Sequence, residues 1–145
     1  MNRLMCSLAF VVSVAAAGTP AFAQQSGNLR IEFQGPGGHS YGAYGRVSAL
    51  HAAARAVILI QKALPAGSYQ ITNLTGGNSV NAIASDGLIE LKVTAANAAA
   101  YKALVAAVTK AAAEGAAAEN AFRGVKTGDL TSGAPATVRA IVTPF

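Results

Sequence analysis

The hydrophobic period of this chain changes from segment to segment, and the order of those changes limits the folds open to it. Residues 28–34 alternate Leu29, Ile31 and Phe33 with Arg30, Glu32 and Gln34, the period-two signature of a strand with one buried face. Residues 46–64 switch to helical spacing, with Val47, Leu50, Ala54, Val57 and Leu64 at three- and four-residue steps. His51, Arg55 and Lys62 fall off that line. Ile58, Leu59 and Ile60 widen the apolar surface, so the C-terminal half is expected to bury two faces. Pro65-Ala66-Gly67 ends the helix. Period two returns at 69–75, with Tyr69 and Ile71 on one side and Gln70, Thr72 and Leu74 on the other. A short extended piece follows at 80–84. Ser85-Asp86-Gly87 reads as a reversal before a strand at 88–94. Residues 95–120 are alanine-rich and read as a second helix, with Asn97 or Thr94 as its N-cap and Gly115 weakening its end. Residues 121–135 read as a loop, and 137–143 as a last, β-branched strand.

Strand, helix, strand, strand, helix, strand is the β-α-β-β-α-β plan. The expected class is α+β: a ferredoxin-like, four-stranded antiparallel sheet with two helices on one face.

The 145 residues are those of one small domain, and at 52% hydrophobic they are too apolar for a disordered tail. The N-terminus is expected to be removed. Arg3, an apolar run over 8–17, a Gly-Thr-Pro break at 18–20 and Ala21-Phe22-Ala23 form the three-part layout of a secretory signal peptide, cleaved after residue 23. Ten apolar residues are too few for a membrane anchor, which needs roughly 20. Removing 1–23 leaves 122 residues with a net charge of +4 and no cysteine. The expected product is exported, periplasmic or extracellular, free of the membrane after cleavage and without disulfides. Its basic residues are scattered without interleaved aromatics, which argues against a nucleic-acid surface.

Chemistry-bearing residues are few. The loop at 35–45 contains five glycines and His39-Ser40. It lacks the Gly-Lys-Ser/Thr ending of a phosphate loop, and a plain strand-to-helix connection competes with an anion cradle. His39 sits among polar and glycine residues, where an imidazole can hold a carboxylate or a developing oxyanion. His51, inside a helix, reads as structural or solvent-facing. His39 and Ser40 are adjacent and have no carboxylate placed to orient them, so they make no triad. Asp86 belongs to its turn, and Glu32 and Glu90 read as solvated.

Two motifs in order carry a resemblance. The loop Gly35–Gly45 with Gly37-Gly38-His39-Ser40, then Ala49-Leu50-His51-Ala52, then Gly76-Gly77-Asn78-Ser79-Val80-Asn81-Ala82-Ile83 and the strand at 88–93 resemble the dimerisation (lid) domain of the M20 metallopeptidases, the two-zinc aminoacylase- and carboxypeptidase-like hydrolases. The resemblance spans about residues 29–112 and implies a lid domain over 24–145. It implies lid-to-lid homodimers formed through an edge strand and the helix beside it. It also implies that His39 reaches into the partner's active site and that Asn81 lies on the substrate-facing side of the lid, with a binding loop of Gly37, Gly38, Ser40, Gly76 and Gly77. Where the family carries Asp-x-Arg this chain has Glu90-Leu91-Lys92, so Lys92 stands where a substrate-contacting arginine would, without its planar fork.

The family's zinc ligands lie outside the lid. No His-x-Asp or Glu-Glu pair occurs here, so no metal site and no catalytic residue is expected in this chain alone, and zinc only in a separate catalytic domain. Three functions follow as expectations: a self-associating module without hydrolase activity of its own, a lid fragment lending His39 to a separate M20 catalytic subunit, and a small-molecule or peptide binder.

Overall fold

A computed structural model describes residues 23–145; the expected leader, apart from Ala23, lies outside the described residues. In chain order the elements are β1 (Gln25–Gln34), β2 (Gly38–His39), α1 (Ser40–Ala43), α2 (Ala49–Ala63), β3 (Tyr69–Thr75), β4 (Ala82–Ile83), β5 (Asp86–Ala95), α3 (Ala98–Phe122), β6 (Leu130–Thr131), β7 (Ala134–Pro135) and β8 (Arg139–Pro144). The four long strands form one antiparallel sheet in the order β3-β5-β1-β8, and α2 and α3 cover one of its faces. This is the expected ferredoxin-like plan. No described helix is long and apolar enough to cross a membrane.

The alternation in the strands does what its period implies. Leu29, Ile31 and Phe33 of β1 and Ile89, Leu91 and Val93 of β5 are buried beneath the helices. The opposite face is polar. There Arg30 pairs with Glu90 through Nη2 at 2.7 Å and Nε at 3.1 Å, so Glu90 is not the free solvated group the alternation suggested. A bulge at Thr72 shifts the register of β3 between Ile71 and Asn73. It brings Leu74 opposite Ile89, on the side of Tyr69 and Ile71, whereas strict alternation put Leu74 with Gln70.

The helices depart most from the sequence reading. In α2 the fully buried residues are Ala49, Ala52, Ala53, Ala56 and Ile60, not the stripe of larger residues. Leu50 and Val57 are half-buried and Ala54 is exposed. The reason is the partner. α3 continues unbroken through Gly115, which is buried at the crossing with α2. A Cβ on Gly115 would lie 2.8 Å from the Ala56 Cβ and backbone nitrogen and 2.9 Å from the Ala52 carbonyl oxygen. Backbones this close admit only small side chains, so alanines on α2 meet Ala111, Ala112 and Ala116 on α3. The stripe Leu50, Ala54, Val57 instead forms the flank of α2 turned away from α3. Because α2 packs mainly on β5 and α3 lies towards β8, that flank lies on the side of edge strand β3.

Smaller differences have local causes. Ser48 caps α2, its Oγ accepting from the His51 N–H at 3.3 Å, so the helix starts three residues later than Arg46. Asn97 caps α3. Asp86-Gly87 opens β5 instead of closing a hairpin, and a Cβ on Gly87 would strike the Ala49 carbonyl oxygen at 2.6 Å. The segment 121–135 contains the hairpin β6–β7, turned by Ser132 and Gly133, both with positive φ.

Gly115→Ala adds a methyl against backbone that cannot retreat. Overpacking costs about 1–3 kcal/mol, towards the upper end where the methyl meets backbone at 2.8–2.9 Å, and there outweighs the roughly 1 kcal/mol of helix propensity gained. The variant should therefore lose about 1–2 kcal/mol in urea unfolding. Gly42→Ala, with open space around its Cβ, should be neutral or slightly stabilising in the same assay. A Gly115→Ala protein as stable as the parent would contradict the close helix contact.

Candidate functional site

The sequence motifs converge at one end of the sheet. β2 pairs with β4, Gly38 opposite Ile83 and His39 opposite Ala82, as a ribbon separate from the main sheet. The piece at 80–84 is thus the second strand of the His39 loop. His39 is also the N-cap of the single turn α1, its Nδ1 accepting from the Tyr41 N–H at 3.2 Å. The Ser40 N–H donates to the Asn81 carbonyl at 2.9 Å. Arg46, outside the helix, donates through Nη1 to the Gly37 carbonyl at 3.1 Å and through Nη2 to the Ser132 Oγ at 3.0 Å, tying this loop to the β6–β7 hairpin. Gly37 and Gly38 have φ of 60° and 134°, and a Cβ on Gly38 would meet Ala43 at 2.7 Å, so the turn under His39 requires glycine.

His39 and Asn81, 42 residues apart, face each other: His39 Nε2 lies 3.2 Å from Asn81 Nδ2. Hydrogen-bond logic fixes their roles. A neutral imidazole carries one N–H, and Nδ1 is engaged as an acceptor, so the proton is on Nε2. Two donors cannot satisfy one another. With the Asn81 amide turned by 180°, Oδ1 accepts from Nε2–H and the NH2 group donates to the Ser79 Oγ, which contacts the same amide. Both side chains are exposed, and Tyr41, Tyr44 and Val80 near them are almost wholly so. The arrangement presents hydrogen-bond donors that can grip an acceptor oxygen once Asn81 turns aside.

The other candidate residues lie apart. Ser40 begins α1, with its backbone engaged as above. Gly76 and Gly77 line a groove on the helix side of the 76–84 segment. Lys92 is exposed on the open face of β5, six residues from Asp86 and so about 20 Å along the strand from the end that carries His39. The structure does not bring it to His39. His51 sits on α2 with its side chain 60% exposed. Among the described residues no group of three His, Cys, Asp or Glu could hold a metal, so these residues do not fit the zinc pair of the M20 hydrolases.

A polar cluster that the sequence reading missed lies beneath that groove. Glu119, one turn beyond Gly115, is fully buried. Its Oε1 accepts from the Ser48 N–H at 3.1 Å and from Arg123 Nε at 3.2 Å, and its Oε2 accepts from Arg55 Nε at 3.1 Å. His51 Nδ1 is 3.9 Å from Oε1. Burial pushes the carboxyl upward, but the Ser48 hydrogen bond and the two arginines outweigh it and hold Glu119 below the usual carboxylate range. The one sequence signal was the Glu119–Arg123 spacing of four, which a surface pair shares.

Because the folded value is depressed, this stabilisation is complete above the ordinary glutamate pKa of about 4.3 and is lost as pH falls through the lower folded value. Glu119→Gln should show a shallower fall in stability between pH 5 and 3 in acid titrations followed by circular dichroism. Glu119→Ala, which leaves two arginines and the Ser48 N–H without their partner, should cost about 3 kcal/mol at pH 7. Equal pH profiles for parent and Glu119→Gln would refute the assignment.

No curated protein matches the sequence. The peptidase dimerisation domain family matches residues 24–120, more than half of the chain. Among solved structures, the fold is similar to an aminobenzoyl-glutamate utilization protein from Klebsiella pneumoniae (16% identity, TM-score 0.61, covering 88% of this chain and 31% of that one). It is similar also to a tripeptidase from Staphylococcus aureus (16%, 0.60, 83% and 29%) and to a hydantoinase/carbamoylase family amidase from Burkholderia ambifaria (18%, 0.61, 86% and 28%). At such identities the likeness is one of fold, and the chain spans less than a third of the length of each. With the family match over β1 through most of α3, the chain belongs to the peptidase dimerisation domain family of the M20 peptidases.

Proposed function

We propose that this domain is an exported self-association module that pairs with a second copy through β3 and α2. The observation that carries the reading is an edge strand with no second neighbour among the described residues, beside an uncharged, mostly apolar flank. β3 is one of the two edge strands of the sheet, Leu74 on it is 45% exposed, and Ala54, Val57, Ile58 and Gln61 form the adjoining side of α2, with Ile58 52% exposed. The charged residues Arg55 and Lys62 fall elsewhere on the helix. Edge strands invite pairing, and a twofold-related copy would continue the sheet while covering the flank. Export rests on the layout of residues 1–23 and is checked by a mature mass that begins at Gln24.

A second reading adds a zinc-bearing M20 catalytic subunit to which the pair lends His39. The nearly full exposure of Tyr41, Tyr44 and Val80 around the His39–Asn81 pair favours it. In that assembly the imidazole supplies a donor to substrate, and the metal stays with the partner.

Light scattering should give twice the protomer mass at micromolar concentration. Ile58→Glu should raise the dissociation constant at least about tenfold, or roughly 1.4 kcal/mol. Ile141→Glu, on the opposite edge strand β8, should leave it unchanged. His39→Ala should keep the dimer and lower turnover only in the presence of a catalytic subunit. A monomeric parent, or dissociation by Ile141→Glu alone, would defeat the proposed interface.

A further inference from the structure

A groove of about 490 Å³ runs between the start of α2 and the 76–84 segment, within the range of small-molecule sites. Asn81, which contacts His39, is not among its walls; the neighbouring residues Val80 and Ala82 are. The groove therefore adjoins the His39–Asn81 pair, on the helix side of the 76–84 segment. Leu50, Val80, Ala82 and Ile83 supply its apolar walls, and Arg123 and His51 stand at one side. No carboxylate lines it.

Arg123 is prepared for a second partner. Its Nε–H is committed to Glu119, and Arg55 binds the other oxygen of the same carboxylate. Both guanidinium groups lie over the Phe122 ring, each 5.0 Å from its centroid. One negative charge thus faces two positive ones, and among the described residues no hydrogen bond engages the Nη groups of either arginine. The Arg123 side chain is 25% exposed, so its outer donors are accessible while the inner one is held. A guanidinium fixed in this way loses little freedom on binding and presents a fork suited to a carboxylate. The apolar walls ask for hydrocarbon on the same ligand.

We propose that this groove binds a carboxylate borne on a short apolar group, an acyl chain's or a peptide C-terminal residue's, with Arg123 as its anchor and His51 beside it. The proposal assigns no role to His39 or Asn81, and its readout is ligand binding and not oligomeric state, so its failure is distinguishable from failure of the proposed interface.

The test is amide-resonance titration of the full domain with hexanoate and with N-acetylleucine, each against its neutral amide and against acetate. Saturable shifts at Leu50, Val80, Ile83 and Arg123 are expected for both acids, at least about tenfold weaker binding for the amides, and no saturation with acetate. The two acids separate an acyl chain from a peptide terminus as the preferred source. Arg123→Gln should abolish binding but also loosens Glu119, so Val80→Glu provides the second variant. It places a negative charge on a fully exposed wall residue and should weaken hexanoate about tenfold without moving the unfolding midpoint. Equal binding of acids and amides, shifts confined to other surfaces, or a Val80→Glu protein that binds hexanoate normally would each overturn the proposal.

Discussion

Where α2 and α3 cross, main chain meets main chain with almost nothing between, because one helix offers alanines and the other offers Gly115 at the point of nearest approach. The helix separation set there fixes what each neighbouring turn can touch. One turn further along α3, Glu119 arrives beside the first turn of α2, close enough to accept from the Ser48 backbone and to hold Arg55. A negative charge at that end of α2 also complements the helix dipole. The tight crossing and the buried carboxylate are therefore one arrangement: a wider separation would leave Glu119 short of both donors.

The same crossing explains which parts of the fold were legible beforehand. The strands read clearly because a sheet with one covered face imposes alternation that β1 and β5 obey without exception. The direction in which α2 faces did not read. Hydrophobicity favours Leu50 and Val57 over Ala52 and Ala56, yet contact with another backbone selects for smallness. Gly115 looked like a weak point for the same reason, and Glu119 looked like ordinary surface charge in an alanine-rich helix. The bulge at Thr72 leaves no mark in the pattern, and two-residue strands such as β2 and β4 are too short to show a period.

At the candidate site, physics and resemblance contributed differently. Glycines around an imidazole suggest a shaped loop but do not say what it meets. The family motifs singled out His39 and Asn81 one by one, and the structure brings them into contact: the β2–β4 ribbon sets Asn81, just before β4, beside His39, while α1 fixes the imidazole tautomer. Lys92 was carried over by the same resemblance, but it lies far along β5 on the uncovered face. Within one folded domain it serves a different surface from His39.

The last residues of β8 run beside the middle of β1: Pro144 pairs with Leu29, and the Phe145 N–H reaches the Asn28 carbonyl at 3.2 Å. Paired antiparallel positions are only about 5 Å apart, and Gln25 lies four residues, about 14 Å, further along β1, so the chain enters and leaves at the same end of the sheet. A fold with that property can be threaded into a surface turn of a host protein without prising the host's own structure open, and it can be lifted out again with equally little disturbance.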